Sequence, residues 1–402
     1  MFLKHLSLAN FRNYETAEVA LEPGVTILVG PNGQGKTNLV EAIRYLSSLN
    51  SHRVAGYLPL IKQGEPSAAV RALASFDGRD VLVELALNRD ASNKAAVNKA
   101  PASRVRDILG YVNSVTFAPE DLDIVKRDPS NRRAFIDELV VQVWPRFAGV
   151  YGDYERVLKQ RNSLLKSARA TGTKGAALST LDAWDASLVK YGSEIVSARM
   201  QLIERLQPHL FSAYQSIAIA NNEPRILVRS SLVARPTAAA KGKSLAIDFE
   251  DESELLEFLT STDREELAAL MEERIRENRD KELERGITLV GPHRDELVLM
   301  LGELPAKGYA SHGESWSYAL ALRLASIELL RQETRSGDPI LILDDVFAEL
   351  DAGRRERLAQ LVADTEQVLI TAAVAEDVPG NLKAKVFHVK QGRVSTGGDG
   401  DD

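Results

Sequence analysis

The chain of 402 residues contains no cysteine. This absence excludes disulfide bonds, zinc sites built on cysteine and catalysis by a thiol. It also suits a reducing compartment, so we expect a cytoplasmic protein. No apolar run approaches the ~18 residues that a membrane span needs, and the first residues show no signal-peptide pattern. The sequence therefore predicts a protein without a membrane partner.

A general excess of positive charge is also missing, because the formal net charge is −7. A surface that binds nucleic acid would have to be a local patch. Apolar residues make up 44% and charged residues 27% of the chain, which is typical of a globular protein. Since a single hydrophobic core rarely serves more than about 250–300 residues, we expect two domains or one domain with a large insertion.

A glycine-rich loop follows the apolar run Val25–Val29. It fits the pattern G-x-x-x-x-G-K-[ST], the phosphate-binding P-loop, in which backbone N–H groups surround an anion. Glycine reaches the required backbone angles cheaply and lets a phosphate approach the main chain. An amphipathic pattern after the loop predicts a helix whose N-terminus adds further donors. The predicted nucleotide-binding residues are Gly30, Pro31, Asn32, Gly33, Gln34, Gly35, Lys36 and Thr37.

Three residues of the chain are candidates for catalysis, and two for binding a metal ion. Lys36 is expected to bridge the β- and γ-phosphates, and Thr37 to hold Mg²⁺ through its hydroxyl group. Much later, the apolar run "PILIL" ends in Asp344 and Asp345. In P-loop enzymes a carboxylate at this place holds Mg²⁺, which predicts a metal-binding and catalytic role for Asp344. Asp345 follows where a base could orient the attacking water.

The chain is organised as a strand-rich start, a long helical stretch and a mixed final part. The first 125 residues indicate β-strands with one helix, and helical patterns begin at Pro129. Two helices, over roughly 147–170 and from Leu181 onward, carry matching apolar stripes that predict an antiparallel hairpin. The alternative is two ordinary core helices. The charged segment 261–285 predicts a helix solvated along most of its length. Strand patterns cover 286–291, 297–301 and 338–345, with short ones within 221–250.

A second phosphate-binding place is indicated by "SHGE", which begins at Ser311 and precedes a long amphipathic pattern. A helix N-terminus and a serine hydroxyl can both bind phosphate oxygens. The order Ser-x-Gly, helix, Asp-Asp and then Leu-Asp at Asp351 resembles the signature, Walker B and D-loop of ATP-binding-cassette proteins. In those proteins the signature of one subunit closes over the ATP of another. The resemblance therefore assigns Ser311 and Gly313 to nucleotide binding and implies an ATP-dependent homodimer with two composite sites.

Nearly the whole chain resembles the RecF family of recombination and gap-repair proteins, in the cassette and SMC-like group of ATPases. The resemblance is carried by segments 6–43, 115–137, 289–297 and 341–351. It implies an α/β fold: a P-loop ATPase head of mixed sheets with helices, and a large, mainly helical inserted domain containing a short antiparallel coiled-coil-like arm. The expected parts are 1–125 (P-loop half of the head), 126–285 (helical insertion, arm and second lobe), 286–392 (signature, Walker B and D-loop half) and 393–402 (disordered acidic tail).

The same resemblance implies an ATP-dependent DNA-binding protein of recombinational gap repair and replication restart, in the response to DNA damage. Two copies would dimerise on ATP and Mg²⁺ and clamp double-stranded DNA near junctions with single-stranded DNA. Weak, DNA-stimulated hydrolysis would release them, with RecR- and RecO-like mediators as partners. Two alternatives remain: an ATPase subunit of a membrane transporter, which the long helical insertion disfavours, and an ATP-binding scaffold without hydrolysis.

The sequence departs from the cassette pattern at three places. The fourth signature position is Glu314 rather than the common glutamine, and Pro119–Asp121 stands where many cassettes carry a Q-loop glutamine. After the strand pattern that ends at Thr371, where a switch residue is expected, no histidine appears until His388. These departures predict slow hydrolysis. In the "GPHRD" segment, His293 and Arg294 admit two interpretations: functional residues at a strand end, or an arginine paired with the neighbouring Asp295.

A local excess of positive charge lies between residues 124 and 170, with ten Lys/Arg against five Asp/Glu. Charge alone favours a solvated helical face, and the resemblance to RecF favours contact with DNA phosphates. No aromatic-rich platform for single strands is evident, so backbone contacts with duplex are expected rather than base readout. The predicted DNA-binding residues are Lys126, Arg127, Arg132, Arg133, Lys159 and Arg161.

Overall fold

The structure is a computed structural model, and it describes residues 1–51, 53–54, 56–172, 179–218, 222–233, 258–363, 365–380 and 382–396. The helices are α1 (Lys36–Ser48), α2 (Leu122–Lys126), α3 (Pro129–Val143), α4 (Phe147–Thr171), α5 (Ser179–Ile217), α6 (Arg264–Arg285), the short α7 (Ala306–Tyr309), α8 (His312–Glu333) and α9 (Ala352–Val362). The strands are β1 (Phe2–Phe11), β2 (Tyr14–Ala20), β3 (Gly24–Val29), β4 (Ser67–Phe76), β5 (Arg79–Asn88), β6 (Lys94–Val97), β7 (Ala100–Pro101), β8 (Ser114–Phe117), β9 (Pro224–Arg229), β10 (Glu296–Leu301), β11 (Leu304–Pro305), β12 (Ile340–Asp344), β13 (Gln367–Ala372), β14 (Ala384–Lys390) and β15 (Arg393–Thr396).

A sheet in the order β15-β14-β3-β13-β12-β8 carries the nucleotide-site elements. All neighbouring strands in it run parallel except β15, which is antiparallel to β14. Parallel sheets are covered on both faces, which explains the unbroken apolar run of β12. The carboxyl ends of parallel strands lie at one edge of a sheet. The loop after β3 and the aspartates at the end of β12 therefore meet, although about 310 residues separate them in sequence.

A second, antiparallel sheet in the order β2-β1-β4-β5-β6-β7 is formed by the first hundred residues. It confirms the strands predicted for this part of the chain. β4 and β5 are joined by a two-residue turn at Asp77 and Gly78, where φ is +48° and +73°. Positive φ at both positions is what a type I′ hairpin turn requires, and the Asp-Gly pair supplies it at low cost.

Two hydrophobic cores lie on opposite faces of the parallel sheet. On one face, Leu28, Ile342 and Leu369 join α1 and the antiparallel sheet in a single core. On the other, the alternating residues Leu343 and Ile370 pack with the long helices. Side chains of a strand alternate between faces, so each buried strand contributes to both cores. The helix α1, which begins at the P-loop, is thereby held between the two sheets.

The predicted hairpin of long helices is confirmed. Antiparallel packing of α4 and α5 is seen in pairs whose numbers run in opposite directions, from Arg146–Glu194 to Arg161–Asp185. The inward stripe on α5 is the predicted one, with Leu181, Leu188, Ile195, Ala198 and Leu202 buried. The loop predicted between these helices lies outside the described residues.

The helix α6 packs against α5 and α4 as a third member. Leu267, Met271 and Ile275 form its buried stripe, while most of its charged residues face outward. The prediction that this helix is solvated along most of its length is therefore wrong for one face. Its hydrophobic stripe is narrow, at a spacing of four residues, and the surrounding charges hide it in the sequence.

Arg161 interrupts the apolar stripe of α4, and its side chain is 0% exposed. Its guanidinium donates to Glu282 (2.6 Å), Asp185 (2.6 Å) and Thr288 (2.9 Å). This buried cluster ties α4, α5 and α6 to the segment that follows α6. The prediction that Arg161 contacts DNA is corrected, because its donors are used inside the protein and no surface of the side chain is free.

Replacing Arg161 by Met is expected to lower the free energy of unfolding by about 3–5 kcal/mol, because it leaves buried carboxylates uncompensated. Denaturant unfolding followed by circular dichroism measures this loss. The control is Arg156→Met on the same helix, where the side chain is 71% exposed and pairs with Asp153. An exposed pair of this kind contributes only about 0–1 kcal/mol. Equal losses in the two variants would contradict the structural role of Arg161.

Two other predictions about secondary structure need correction. Residues 286–291 form no strand, because side chains rather than a neighbouring strand bind their backbone: Asn162 accepts from Thr288 N, and Glu282 from Leu289 N. The expected disordered tail from residue 393 is also wrong at its start, since β15 pairs with β14 through Thr396.

Some predictions about the insertion remain untested. The strand β9 confirms one of the short strands predicted within 221–250, and residues 234–250 lie outside the described part of the chain. β9 pairs with β10, so a small sheet crosses the predicted boundary at residue 285. The domain boundaries themselves stay a prediction.

Candidate nucleotide-binding site

The P-loop lies between β3 and α1, and α1 begins at Lys36 as the pattern predicted. Its glycines are required by the closeness of neighbouring atoms as well as by their own backbone angles. A side chain at Gly30 would collide with the carbonyl oxygen of Val389, and φ at Gly35 is +119°. A Cβ atom at Gly35 would also approach the Tyr14 hydroxyl to 2.8 Å. The loop is thus closely packed from behind.

Two turns from other strands hold the loop in place. From the β1–β2 turn, Asn13 Nδ2 donates to the carbonyl oxygen of Gln34 (3.0 Å) and Tyr14 OH donates to that of Gly35 (3.0 Å). From the β14–β15 turn, Gln391 N donates to Gln34 Oε1 (2.8 Å). Burial raises the pKa of Tyr14, so its phenol stays protonated and can donate. Sequence reasoning assigned no role to these supports, although Arg-Asn-Tyr between two strands is a polar turn signal.

Lys36 is 3% exposed, and its ammonium group folds back over the loop. It donates to the carbonyl oxygens of Gly30 (2.7 Å) and Pro31 (3.2 Å). An ammonium has three donors, so one N–H remains for a phosphate oxygen. The placement agrees with the predicted role.

Asp344 lies at the end of β12, where Oδ1 accepts from Thr371 Oγ1 (2.6 Å) and Thr37 Oγ1 (3.1 Å). Burial, with a further contribution from the neighbouring Asp345, raises the pKa of Asp344 to about 6. A divalent cation beside this carboxylate would favour its ionised form. A buried carboxylate next to a P-loop threonine hydroxyl is a donor set that Mg²⁺ prefers. The residues therefore fit a magnesium ion.

Asp345 has a φ of +52°, which is uncommon for a residue other than glycine. Its N–H donates to Thr371 Oγ1 (2.9 Å), a contact that helps to hold this conformation. Thr371 thus binds both aspartates, and sequence reasoning did not identify it.

The segment Pro119–Asp121 follows β8, the strand next to β12. The charge of Glu120 contributes to the raised pKa of Asp344, which indicates that it lies close by. Asp121 is turned away and pairs with the buried Arg323 (2.5 Å). Of the two acidic residues, Glu120 is therefore the one near the predicted metal site.

The signature segment lies at the N-terminus of α8. Ser311 Oγ accepts from Glu314 N (3.2 Å), and Glu314 Oε2 accepts from Ser311 N (2.9 Å). This reciprocal pair is a capping box, and it gives a local reason for the acidic fourth position. The bond from Ser311 N also lowers the pKa of Glu314. Asp351 caps α9 in a similar way by accepting from Arg354 N (2.9 Å).

The signature and the P-loop do not form one site within the chain. Among the described residues, no hydrogen bond or ion pair joins 311–314 to 30–37, whereas Thr37 and Asp344 contact each other directly. The fold brings together the P-loop, Asp344, Asp345 and Glu120. It leaves Ser311 and Gly313 at a separate place.

Neither interpretation of the "GPHRD" segment holds in full. Arg294 donates to the carbonyl oxygen of Thr288 (2.8 Å), so the Arg–Asp pair with Asp295 is wrong. His293 lies between Tyr154 OH (2.7 Å) and the Thr288 carbonyl (3.4 Å). Burial lowers the pKa of His293 to about 3, which keeps the imidazole neutral. This segment contacts the base of the hairpin, and it follows a loop rather than a strand.

The remaining predicted DNA-binding residues divide into two groups. Arg132 is 3% exposed and pairs with Glu296 (2.8 Å), and Arg133 donates to the backbone of Asp295 (2.7 Å). Arg132 is corrected to a structural residue for the same reason as Arg161, whereas Arg133 is only half-buried and its contact with DNA stays a prediction. The exposed cations of the set are Lys126, Arg127 and Lys159.

A cavity of about 550 Å³ adjoins the P-loop. Asn13 and Asn38, which contact the loop or follow it, lie on its wall together with Arg12 and Arg53. Both arginines bind Glu41, and Arg53 also donates to Asn38 Oδ1 (2.7 Å). The wall of the cavity is mostly polar, and its apolar members are Leu58, Pro59 and Ile61. Within the described residues, no helix is long and apolar enough to span a membrane.

The family model described as "RecF/RecN/SMC N terminal domain" matches residues 2–395. A DNA replication and repair protein RecF of Clavibacter michiganensis is 52% identical over 98% of this chain and 96% of its own length. The corresponding protein of Beutenbergia cavernae is 51% identical, over 98% of this chain and 99% of its own.

Two solved structures superimpose on nearly the whole length of this chain. The recombination mediator protein RecF-ATPrS of the RecFOR pathway superimposes with a TM-score of 0.84 at 27% identity, covering 98% of both chains. The Smc head domain of Pyrococcus furiosus reaches a TM-score of 0.51 at 16% identity, covering 98% of this chain and 95% of its own. The second likeness concerns the fold alone.

Proposed function

Because this chain belongs to the RecF family of DNA replication and repair proteins, we propose that it is an ATP-gated DNA-binding protein of recombinational gap repair. Two copies dimerise on ATP, clamp duplex DNA near single-strand junctions and separate after slow hydrolysis. The observation that carries the proposal is that the P-loop and the signature lie at separate places in one chain. Thr37 contacts Asp344 across 307 positions of sequence, while Ser311 contacts neither. A second copy can complete such a site.

Each residue of the site has a role that follows from its surroundings. The P-loop N–H groups and Lys36 bind the phosphates, and Thr37 with Asp344 holds Mg²⁺. ATP, when bound, supplies the γ-phosphate charge that a second copy can recognise. Asp345 and Glu120 are the acidic groups that can orient water at this edge of the sheet. The cavity that adjoins the P-loop takes the adenosine part of the nucleotide.

The name of the solved relative supports the choice of partners. That relative is a recombination mediator of the RecFOR pathway, and we propose RecO- and RecR-like proteins as partners of this chain. Of the cations predicted to bind DNA, Lys126, Arg127 and Lys159 are exposed at the surface. They suit contacts with the phosphate backbone of duplex DNA.

ATPase activity and dimer mass, measured with and without a gapped duplex, test the proposed function. Dimerisation that requires ATP, and hydrolysis that the gapped duplex stimulates, are expected. Copurification with membranes and no response to DNA would favour the transporter alternative. If Asp345→Asn changed neither ATP turnover nor the lifetime of the DNA complex, the scaffold alternative would hold.

DNA binding is expected to need ATP and to fall steeply with salt, because phosphate contacts release counterions. The double variant Arg127→Ala and Lys159→Ala should reduce the slope of log affinity against log salt by about 2, since each phosphate contact contributes roughly 0.9. ATP affinity should not change. Fluorescence anisotropy across a salt series measures the slope. Lys385→Ala, which removes a lysine paired with Glu22, is the control. An unchanged slope would mean that Arg127 and Lys159 lie on a solvated face that does not contact DNA.

A further inference from the structure

Arg354 lies against the signature, although it comes 41 positions after Gly313. An ideal Cβ atom built on Gly313 would lie 2.5 Å from Arg354 Nη2 and 3.3 Å from Nη1. The guanidinium thus covers the glycine of the signature, and the missing side chain at position 313 makes the space for it. A larger residue would push the arginine away.

The donors of this guanidinium are not used inside the protein. Among the described residues, none accepts a hydrogen bond from it, and the nearest carboxylate oxygen, Asp351 Oδ2, is 3.6 Å away. Its neighbours differ. Arg355 Nε donates to the carbonyl oxygen of Leu350 (2.9 Å), and Arg357 Nη1 to that of Ile217 (2.8 Å). Of these three arginines on α9, only Arg354 keeps its planar set of N–H groups for another molecule.

The surroundings favour an anion as that molecule. The Arg354 side chain is 29% exposed, so it can be reached from outside. It lies beside the N-terminus of α8, where backbone N–H groups and the helix dipole favour negative charge. A planar guanidinium binds two phosphate oxygens at once, which makes arginine well suited to a phosphate group.

We propose that Arg354 acts in trans: it contacts a phosphate of the nucleotide held by the P-loop of a second copy of this chain. Ser311 and the start of α8 touch the same phosphate. The inference rests on the proposed dimer and adds to it a cation that each copy provides to the site of its partner. An arginine provided across an interface stabilises the charge of a transferring phosphoryl group.

The test compares Arg354→Gln, Arg354→Lys and the control Arg357→Gln. The control removes the same charge from the same helix but from a side chain bound to Ile217. Arg354→Gln should bind ATP as the wild type does. Its ATP-dependent dimerisation should weaken by about 10- to 100-fold, the value of a charge-assisted hydrogen bond. Arg354→Lys should recover part of the loss. Arg354→Gln and Arg354→Lys should unfold at the wild-type temperature without nucleotide.

A mixing experiment determines in which site Arg354 acts. The Lys36→Met variant has an intact Arg354, and Arg354→Gln has an intact P-loop. If Arg354 acts in trans, the mixed dimer holds one whole site and hydrolysis returns. If it acts on the nucleotide of its own copy, the mixed dimer holds none. Absence of activity in this mixture, when a mixture of Ser311→Arg with Lys36→Met regains activity, overturns the inference.

Different results would overturn the proposed dimer and the role of Arg354. A wild type that stays monomeric with ATP overturns the proposed function and this inference with it. A wild type that dimerises, together with an Arg354→Gln variant that dimerises equally well, overturns the inference alone. Loss of dimerisation in Arg357→Gln to the same extent would also overturn it, because general charge on α9 would then explain the result.

Discussion

Lys36→Met loses tight ATP binding, and with it the ATP-dependent dimer: this is the largest single effect expected for the chain. The ammonium of Lys36 lies within the loop, bound to the carbonyl oxygens of Gly30 and Pro31. Methionine fills nearly the same volume but provides neither the charge nor the donors. A charge-assisted hydrogen bond contributes about 1.5–3 kcal/mol, and Lys36 is expected to contact two phosphates. We therefore expect ATP affinity to fall by at least ~100-fold.

Isothermal titration calorimetry measures the affinity, and light scattering with and without ATP measures the dimer. Lys4→Met is a matched control, because Lys4 is an exposed lysine paired with Asp80. This control should bind ATP as the wild type does. A Lys36→Met variant of unchanged ATP affinity would mean that the loop is not a P-loop, whatever its sequence.

Ser311→Arg is expected to bind ATP but to fail in dimerisation and hydrolysis. In the structure Ser311 caps α8 and contacts neither the P-loop nor Asp344. In the proposed dimer, its place is therefore at the site of the other copy. An arginine at this position removes the cap, at a cost of about 1 kcal/mol, and fills the space that a phosphate would need. ATP binding by the same copy should not change.

Mixing Ser311→Arg with Lys36→Met gives a sharper result. The mixed dimer pairs the intact P-loop of Ser311→Arg with the intact signature of Lys36→Met, so one of its two sites is complete. With random pairing in a two-fold dimer, half of the dimers are mixed and half of their sites are whole, and activity returns to at most about a quarter of normal. Each variant alone stays near zero.

Glu314→Gln is the control, because glutamine at the third helical position also completes a capping box. This variant should dimerise on ATP. If mixed dimers form by mass and no activity returns, either Ser311 does not act across the interface or one site cannot act alone. Normal hydrolysis by Ser311→Arg on its own would refute the assignment of the signature.

Local patterns identified the elements of the candidate nucleotide-binding site, since each is a short stretch with one physical requirement. The P-loop needs consecutive glycines and a lysine, and Asp344 follows a fully apolar strand. The hairpin of α4 and α5 was predictable because apolar residues at helical spacing need a partner. The supports of the loop were missed, since Asn13, Tyr14 and Gln391 act on it from distant strands.

The sequence-based predictions and the structure differ most in which charged side chains are exposed. Arg127, Arg132, Lys159 and Arg161 are the same kind of residue in the same basic stretch, yet Arg132 and Arg161 are inside the protein. Their partners, Glu296 and Glu282, lie 164 and 121 positions away along the chain. A buried cation is stable only where distant segments bring carboxylates to it. No local pattern can contain that information.

The sequence by itself determined the positions of the P-loop, of the aspartate that ends β12 and of the hairpin, because backbone conformation and hydrophobic periodicity are local properties. Only the tertiary structure decided which cations remain at the surface, that residues 286–291 are bound by side chains instead of a strand, and that Arg354 lies on Gly313. Burial and pairing depend on groups that folding brings together from far apart, and the free energy of a charge depends on those groups.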